Sequence, residues 1–164
     1  MPVTQIESIA ALRDYVGRDV AVSDWLEVTQ ERINQFAEST EDRQWIHVDP
    51  ERAARESPFK ETIAHGFLTL SLLSALGKRA MSGGGVRMGI NYGLNRVRFV
   101  SPVPAGSRIH GRFTLAAVEA IKGGVQATWS VTVEREGSEK PSCVAEWLVR
   151  YYEEQPTKSQ YRLR

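Results

Sequence analysis

The stretch IAHGFLTLSLLSALGKRAM, residues 63–81, decides the fold predicted from this sequence. Its apolar residues leave almost no polar face before Lys78 and Arg79, and helices that are apolar all round are buried ones. The glycine run 83–85 follows and ends the helix. We therefore expect this segment to be the central helix of the fold, covered by the rest of the chain.

The half of the chain after residue 86 has the pattern of long strands. Turn residues separate the apolar segments, and alternation of apolar and polar residues is visible at 128–133. This punctuation is typical of an antiparallel meander. Because an exposed apolar helix would be unstable, we predict an α+β fold in which the sheet wraps around the central helix. The predicted strands cover about residues 92–100, 107–119, 125–135 and 142–153.

The segments before the central helix are shorter. Apolar spacing and turn residues indicate three helices, a strand and a loop. Asp49-Pro50 supplies the N-cap and first-turn proline that begin a helix. We predict a helix over 6–16, a strand over 20–28, a helix that Thr29 caps and that ends near Ser39 or Thr40, a loop over 41–49 and a short helix over 50–56.

The composition of the chain limits the classes of protein to which it can belong. The chain has 164 residues, with 21 Lys and Arg against 20 Asp and Glu, which is the balance of one ordinary globular domain. We expect a single domain over 1–154 and a basic tail over 155–164. A net charge of +1 does not indicate the basic stripe that duplex binding requires. No segment approaches the ~20 apolar residues of a membrane span, so we expect neither nucleic acid nor a membrane as a partner.

Cysteine usage indicates a reducing compartment. Cys143 is the single cysteine, so no intramolecular disulfide can form, and no paired Cys/His spacing for zinc occurs. Charged residues at Glu7, Arg13 and Asp14 interrupt the first apolar run before it could serve as a signal sequence. We predict a cytoplasmic protein in which Cys143 is a core residue.

Asp42 and His47 are the pair best suited to chemistry. On a regular helix their spacing would place them about 140° apart, but in the predicted loop the chain can curl until both side chains meet. A carboxylate beside an imidazole can hold and polarise one water, which makes the pair a candidate general base. Local chemistry gives equal weight to Asp42 as a turn cap and His47 as an ordinary loop histidine. Asp49 could complete a metal site with this pair, but it is better employed as a helix N-cap.

The residues Ala64-His65-Gly66 open the predicted central helix. Free N–H groups at a helix N-terminus can stabilise an oxyanion, and glycine lets a ligand approach the backbone. Close packing of helix on sheet explains Gly66 equally well. We expect His65 to be structural and His110 to have no functional role.

Other motifs are weak or missing. Three arginines around the first long strand could neutralise phosphates of a nucleotide-bearing substrate, although a solvated face also explains them. The glycine run 83–85 lacks the Gly-Lys-Ser/Thr of a P-loop, and neither GxGxxG nor GxSxG occurs. The sequence therefore disfavours ATP, dinucleotide and serine acyl-transfer chemistry. These arginines are Arg87, Arg96 and Arg98.

Two blocks of the sequence resemble one family. FAESTEDRQWIHVDPERA, residues 36–53, resembles the hydratase motif of the MaoC-like dehydratases, the (R)-specific enoyl-CoA hydratases, and its Gln-Trp-Ile-His form is most similar to the NodN-like subgroup. IAHGFL, residues 63–68, is similar to the start of the family's central helix. The resemblance implies a hot-dog fold, usually as a dimer. Open sheet edges point the same way, since pairing across a two-fold axis protects them, and we expect a homodimer.

The resemblance also implies a reaction, the reversible hydration of a trans-2-enoyl-CoA to an (R)-3-hydroxyacyl-CoA. Asp42 and His47 match the family residues that flank the catalytic water, the Gly66 amide matches the oxyanion donor, and Gln44 is expected to position the water and the loop. The substrate would be an acyl-CoA or acyl-carrier-protein thioester, with no metal or redox cofactor. The alternatives are a hot-dog thioesterase, a non-catalytic acyl-thioester binding protein and a structural subunit of a larger complex.

The chain departs from the family pattern at two positions. Glu41 stands where the family commonly has Gly, and Gln44 stands where it commonly has the shorter Asn. We expect Glu41 to alter the loop and to raise the His47 pKa through its negative charge. Neither departure removes a catalytic group, so both bear on substrate choice rather than on activity.

Overall fold

The structure, a computed structural model, describes residues 1–154. Its strands are β1 (Thr4–Ile6), β2 (Asp19–Val22), β3 (Leu26–Val28), β4 (Met81–Gly83), β5 (Val86–Arg98), β6 (Ser107–Ile121), β7 (Gly124–Arg135) and β8 (Pro141–Glu153). Its helices are α1 (Gln30–Thr40), α2 (Trp45–Val48), α3 (Pro50–Glu56), α4 (Gly66–Ser71) and α5 (Leu73–Ala80), with a 3₁₀ helix at Ala10–Tyr15.

The main sheet is antiparallel and has the strand order β2-β6-β7-β8-β5, with β3 also beside β6. The meander prediction holds for β6, β7 and β8, but β5 pairs with β8 and not with β6. The connection from β5 to β6 contains Pro102 and Pro104, which have no N–H for a tight hairpin. This connection instead passes beside the residues that precede the central helix, where Ile63 and Pro104 form an antiparallel β-bridge. A separate parallel pair joins β1 to β4.

The central helix consists of α4 and α5. Its hydrogen bonds continue through Leu72, whose N–H donates to the Leu68 carbonyl at 3.0 Å while its own carbonyl accepts from Leu76 at 2.9 Å. Leu76 is fully buried, as are Phe113 and Trp129 of the sheet, which meet edge to face. The prediction of a buried central helix covered by a sheet is therefore confirmed.

That helix begins at Gly66, three residues later than predicted. The segment 62–64 is extended and bonds to the β5–β6 connection, with the Ala64 N–H donating to Val103 at 2.8 Å and the Ala105 N–H donating to Thr62 at 2.9 Å. The backbone of these residues is therefore already paired outside a helix. This pairing places the start of the central helix against residues 41–48.

Three of the predictions for the first half need correction. The helix predicted over 6–16 is the end of β1 followed by a 3₁₀ helix, and the strand predicted over 20–28 is interrupted between β2 and β3, where Ser23 exchanges hydrogen bonds with Gly111. The predicted loop 41–49 contains the single turn α2. The helices α1 and α3 lie where predicted, with their N-caps Thr29 and Asp49 each accepting a main-chain N–H.

Two other sequence predictions concern the core and the tail. Cys143 is fully buried, as predicted for a core residue, and burial raises the pKa of its thiol to about 11. The predicted basic tail, 155–164, lies outside the described residues. Within residues 1–154, none of the helices has the length and apolar content needed to cross a membrane.

Candidate active site

His47 is held in one orientation by α2 and by the entrance to the central helix. Its side chain is 7% exposed, and its Nδ1 lies 2.6 Å from the Ile63 carbonyl oxygen. Because a carbonyl can only accept, Nδ1 carries the hydrogen and Nε2 keeps its lone pair. The buried imidazole is thus presented as a base at Nε2.

Gln30, the first residue of α1, ties this turn to the rest of the fold. Its Nε2 donates to the His47 main-chain carbonyl at 2.7 Å, and its Oε1 accepts from the Thr62 hydroxyl at 2.5 Å. One side chain therefore joins α1, α2 and the segment before the central helix. Sequence reasoning missed Gln30 and Thr62, because no local pattern marks contacts over 17 and 32 residues.

Asp42 meets His47 as predicted. Glu41 ends α1 in the left-handed conformation, with φ +62°, and the reversal brings the Asp42 carboxylate back toward the imidazole. One carboxylate oxygen and one ring nitrogen from each of His47 and His65 lie within 4.8 Å of one another. Asp42 itself is exposed, so the pair combines a buried imidazole with a solvent-accessible carboxylate.

His65 is an unexpected member of the cluster. Its ring stacks on that of His47 with centroids 3.8 Å apart and planes inclined by 23°. Its Nε2–H donates to the main-chain carbonyl of Asp42 at 2.9 Å. The sequence predicted a structural residue here, but its spacing from His47 does not reveal the contact, which depends on where the central helix begins.

The pKa of His47 lies below its ordinary value. Burial is the largest cause, the hydrogen bond to Ile63 acts in the opposite direction, His65 lowers the pKa further, and Asp42 raises it. Glu41 is not among the groups that shift it, so the expected rise caused by Glu41 is wrong. Burial dominates because removing the ring from water disfavours its charged form. His47 is therefore neutral at pH 7 and competent as a base.

The donor set suits a water better than a metal ion. The lone pair of an imidazole nitrogen lies in the plane of the ring. Because the rings of His47 and His65 are stacked, their lone pairs lie in two nearly parallel planes and do not converge on a single metal position. Asp49 does not add a ligand, since its carboxylate caps α3 by accepting from Arg52 N–H at 3.0 Å. The prediction that no metal is needed stays a prediction, and this geometry agrees with it.

Gly66 lies at the first position of α4, directly after His65. A Cβ at this position would fall 2.6 Å from Cδ2 of Phe99, which follows β5 outside the sheet, so glycine at this position avoids a close contact with that ring. Within residues 1–154 the Gly66 N–H has no hydrogen-bond acceptor. The amide is therefore free to serve as the predicted oxyanion donor.

The chain is similar to known proteins over most of its length. Residues 12–136 match the MaoC like domain. The chain belongs to this family. It is 56% identical over 146 residues to 3-hydroxyacyl-thioester dehydratase Z of Mycobacterium tuberculosis, covering 88% of this chain and 96% of that protein. It is 48% identical to Nodulation protein N of Rhizobium meliloti over 86% of this chain and 89% of that protein. The sequence-based recognition of the family and of a NodN-like relative is confirmed.

A solved structure relates the fold of this MaoC-like domain to a hydratase. R-Hydratase PhaJ1 from Pseudomonas aeruginosa, in the unliganded form, has a TM-score of 0.71 and 26% identity, covering 90% of this chain and 86% of that chain. The α+β hot-dog fold predicted from the sequence is thus confirmed. The family match from residue 12 includes Asp42, His47 and Gly66.

Other predicted residues of the MaoC-like domain lie apart from the dyad or on its surface. Gln44 is exposed, and its carbonyl accepts from the His47 N–H at 3.0 Å, so its main chain supports the site. A positioning role for its side chain stays a prediction. Arg87, Arg96 and Arg98 lie exposed on β5.

A cavity in this MaoC-like domain lies further along the central helix. It has a volume of about 430 Å³ between α5, β5 and β8. Its walls include Gly77, Met81, Trp129 and Trp147, but none of the dyad residues. Sequence patterns did not predict this cavity, since its lining comes from five separate parts of the chain.

Proposed function

We propose that this protein catalyses the reversible hydration of a trans-2-enoyl-CoA to an (R)-3-hydroxyacyl-CoA. The observation that carries the proposal is the meeting of the Asp42 carboxylate with a neutral, buried His47 beside the free Gly66 amide. The reaction class is supported by the relative named as a 3-hydroxyacyl-thioester dehydratase and by the structural likeness to an R-hydratase. The protein is accordingly a hydro-lyase.

In the hydration direction, His47 and Asp42 act on one water. Nε2 of His47 takes a proton from the water as its oxygen bonds to the β-carbon, and the electrons of the double bond move to the thioester oxygen. Asp42 orients the water and helps return one proton to the α-carbon, so the net addition is one water. The chemistry requires a base that is unprotonated near neutral pH, which the buried His47 provides.

Gly66 is the proposed partner of the developing enolate. Its N–H would donate to the thioester oxygen, and the first turn of the helix adds a favourable dipole. Losing one donor of this kind costs about 3 to 4 kcal/mol in comparable sites. The Phe99 ring lies next to Gly66 at this position.

The thioester carrier and the oligomeric state belong to the same proposal. We propose that the substrate is an acyl-CoA or acyl-carrier-protein thioester and that the protein is cytoplasmic. A homodimer is supported by β5, because within residues 1–154 only one of its edges is paired and it exposes Met88, Ile90, Tyr92 and Leu94. Pairing two β5 strands across a two-fold axis would cover that apolar edge. Light scattering of the purified protein should give twice the chain mass.

The test follows the enoyl-thioester absorbance of crotonyl-CoA and of a longer enoyl-CoA with purified protein. We expect loss of the absorbance with wild type and formation of the (R)-3-hydroxy product, while Asp42→Asn and His47→Ala leave the substrate unchanged. Release of free thiol would instead indicate a thioesterase. Binding of CoA esters with neither reaction would indicate a non-catalytic binding protein, and activity only with a co-purified partner would indicate a subunit of a complex.

A further inference from the structure

His65 touches both members of the dyad, each through a different part of its ring. Its side chain is 3% exposed. One face stacks on His47 at 3.8 Å between centroids, and its Nε2–H donates to the Asp42 main-chain carbonyl at 2.9 Å. The reaction steps above assign it no proton or electron pair.

The contact with Asp42 restrains an exposed turn of the chain, in which Arg43 also pairs with Glu38 of α1. Asp42 is exposed and follows the left-handed Glu41. The carboxylate accepts a long bond of 3.5 Å from the Gln44 N–H, whereas the bond from His65 to the main chain is short. His65 therefore anchors this turn to the start of the central helix.

The contact with His47 restrains the plane of its ring. The bond from Nδ1 to Ile63 fixes one edge of the imidazole, and the flat face of His65 limits rotation of the remainder. Phe36 also packs against His65, with ring centroids 4.9 Å apart and planes inclined by 59°, which keeps His65 itself in place. His65, held by Phe36, thus supports the imidazole of His47.

We propose that His65 is a positioning residue, whose N–H holds the main chain at Asp42 while its ring face holds the imidazole of His47. This inference rests on the proposed function, because it assigns His65 to the geometry of that dyad. A misplacement of reacting groups by about 1 Å can cost on the order of 10²-fold in rate. Since His65 is buried and offers the substrate no surface, its loss should lower kcat and leave KM nearly unchanged.

Two substitutions separate the two contacts. His65→Phe keeps a flat ring against His47 but removes the donor to Asp42, and His65→Gln keeps a donor but removes the ring. His110→Gln is the matched control, because His110 is also buried, at 6% exposure, and bonds to Glu134 on the sheet. We expect each His65 variant to lose on the order of 10- to 100-fold in kcat with crotonyl-CoA, and the control to lose none.

The second readout needs no turnover. The chain has three histidines, so the ring Cε1–H signal of His47 can be assigned by NMR and titrated. Water that replaces the His65 ring in His65→Gln relieves burial of His47, and the titration midpoint should move to higher pH, together with the acid limb of the kcat profile. If His65→Gln does not fold, His65→Phe tests the Asp42 contact by kcat and by the altered His47 signal.

The outcomes distinguish this inference from the proposed function. Folded His65 variants with wild-type kcat and an unchanged His47 titration would overturn the positioning role, even if Asp42→Asn and His47→Ala abolish turnover. An inactive wild type, or dyad variants as active as wild type, would overturn the proposed hydratase. In that case the NMR titration still decides whether His65 positions His47.

Discussion

His47 and His110 are two buried histidines in very different settings. His110 lies on β6, donates through Nε2 to the Glu134 carboxylate at 2.6 Å and stacks on Trp25 at 3.9 Å between centroids. His47 donates through Nδ1 to a neutral carbonyl, and a ring nitrogen of His47 lies within 4.8 Å of a carboxylate oxygen of the exposed Asp42. His110 therefore joins two neighbouring strands of the sheet, whereas the imidazole of His47 lies beside a solvent-exposed carboxylate.

The largest expected difference is in kcat, between variants in which His47 or His110 is replaced by alanine. His47→Ala should lower kcat by on the order of 10² to 10⁴-fold, the usual contribution of a general base. His110→Ala should leave kcat near wild type and lower the melting temperature, because it leaves Glu134 without its partner. Crotonyl-CoA hydration and thermal melts of both variants measure the difference. Equal losses of kcat in two folded variants would remove the distinction between the two sites.

The pH dependence of hydration sharpens the same comparison. Burial lowers the pKa of His47, and the base must be unprotonated to act. The rate kcat/KM should therefore be constant near pH 7 and fall about tenfold per pH unit only below the lowered pKa, at a pH beneath the ordinary histidine value of about 6.5. A profile measured with crotonyl-CoA in wild type and His110→Gln should show the same acid limb. An acid limb that begins above pH 7 would contradict this assignment.

Backbone strain next to Asp42 also distinguishes the His47 site from the region around His110. Glu41 adopts φ +62° next to Asp42, a conformation that glycine adopts without a Cβ penalty and that costs other residues about 1 kcal/mol or more. Glu41→Gly should therefore raise the free energy of unfolding by about 1 kcal/mol, as measured by urea denaturation. Glu119→Gly, at an exposed position of β6, is the control and should be destabilising. A loss of stability in Glu41→Gly would show that the left-handed turn is not strained.

The smallest expected effect concerns the hydrogen bond between His110 and Glu134. The hydrogen bond from His110, followed by Arg112, lowers the pKa of Glu134. The stabilisation is therefore present above the ordinary glutamate pKa and is lost as the pH falls through the lowered one. Because Glu134 is partly exposed, its replacement in Glu134→Gln should cost only about 0.2 to 1 kcal/mol at pH 7. The difference from wild type in urea denaturation should shrink toward pH 3, and a constant difference would contradict the ion-pair origin.

Local patterns predicted much of the fold. The apolar run of the central helix, the capping residues Thr29 and Asp49 and the alternation in β7 depend on neighbours a few residues away. Asp42 and His47 were predicted as a pair because they fall within one short loop. The β5 position beside β8, by contrast, depends on a connection whose path no local pattern specifies.

The sequence by itself determined the central helix, the strand-rich second half, the family and the two side chains of the dyad, because each is encoded in a short run of residues. The tertiary structure alone decided that His65 joins the dyad, that Gln30 holds the His47 turn, and that burial rather than Glu41 controls the pKa of His47. These features arise where segments distant in sequence pack together. Their contacts and their exclusion of water follow from the assembled fold, and residue spacing does not encode them.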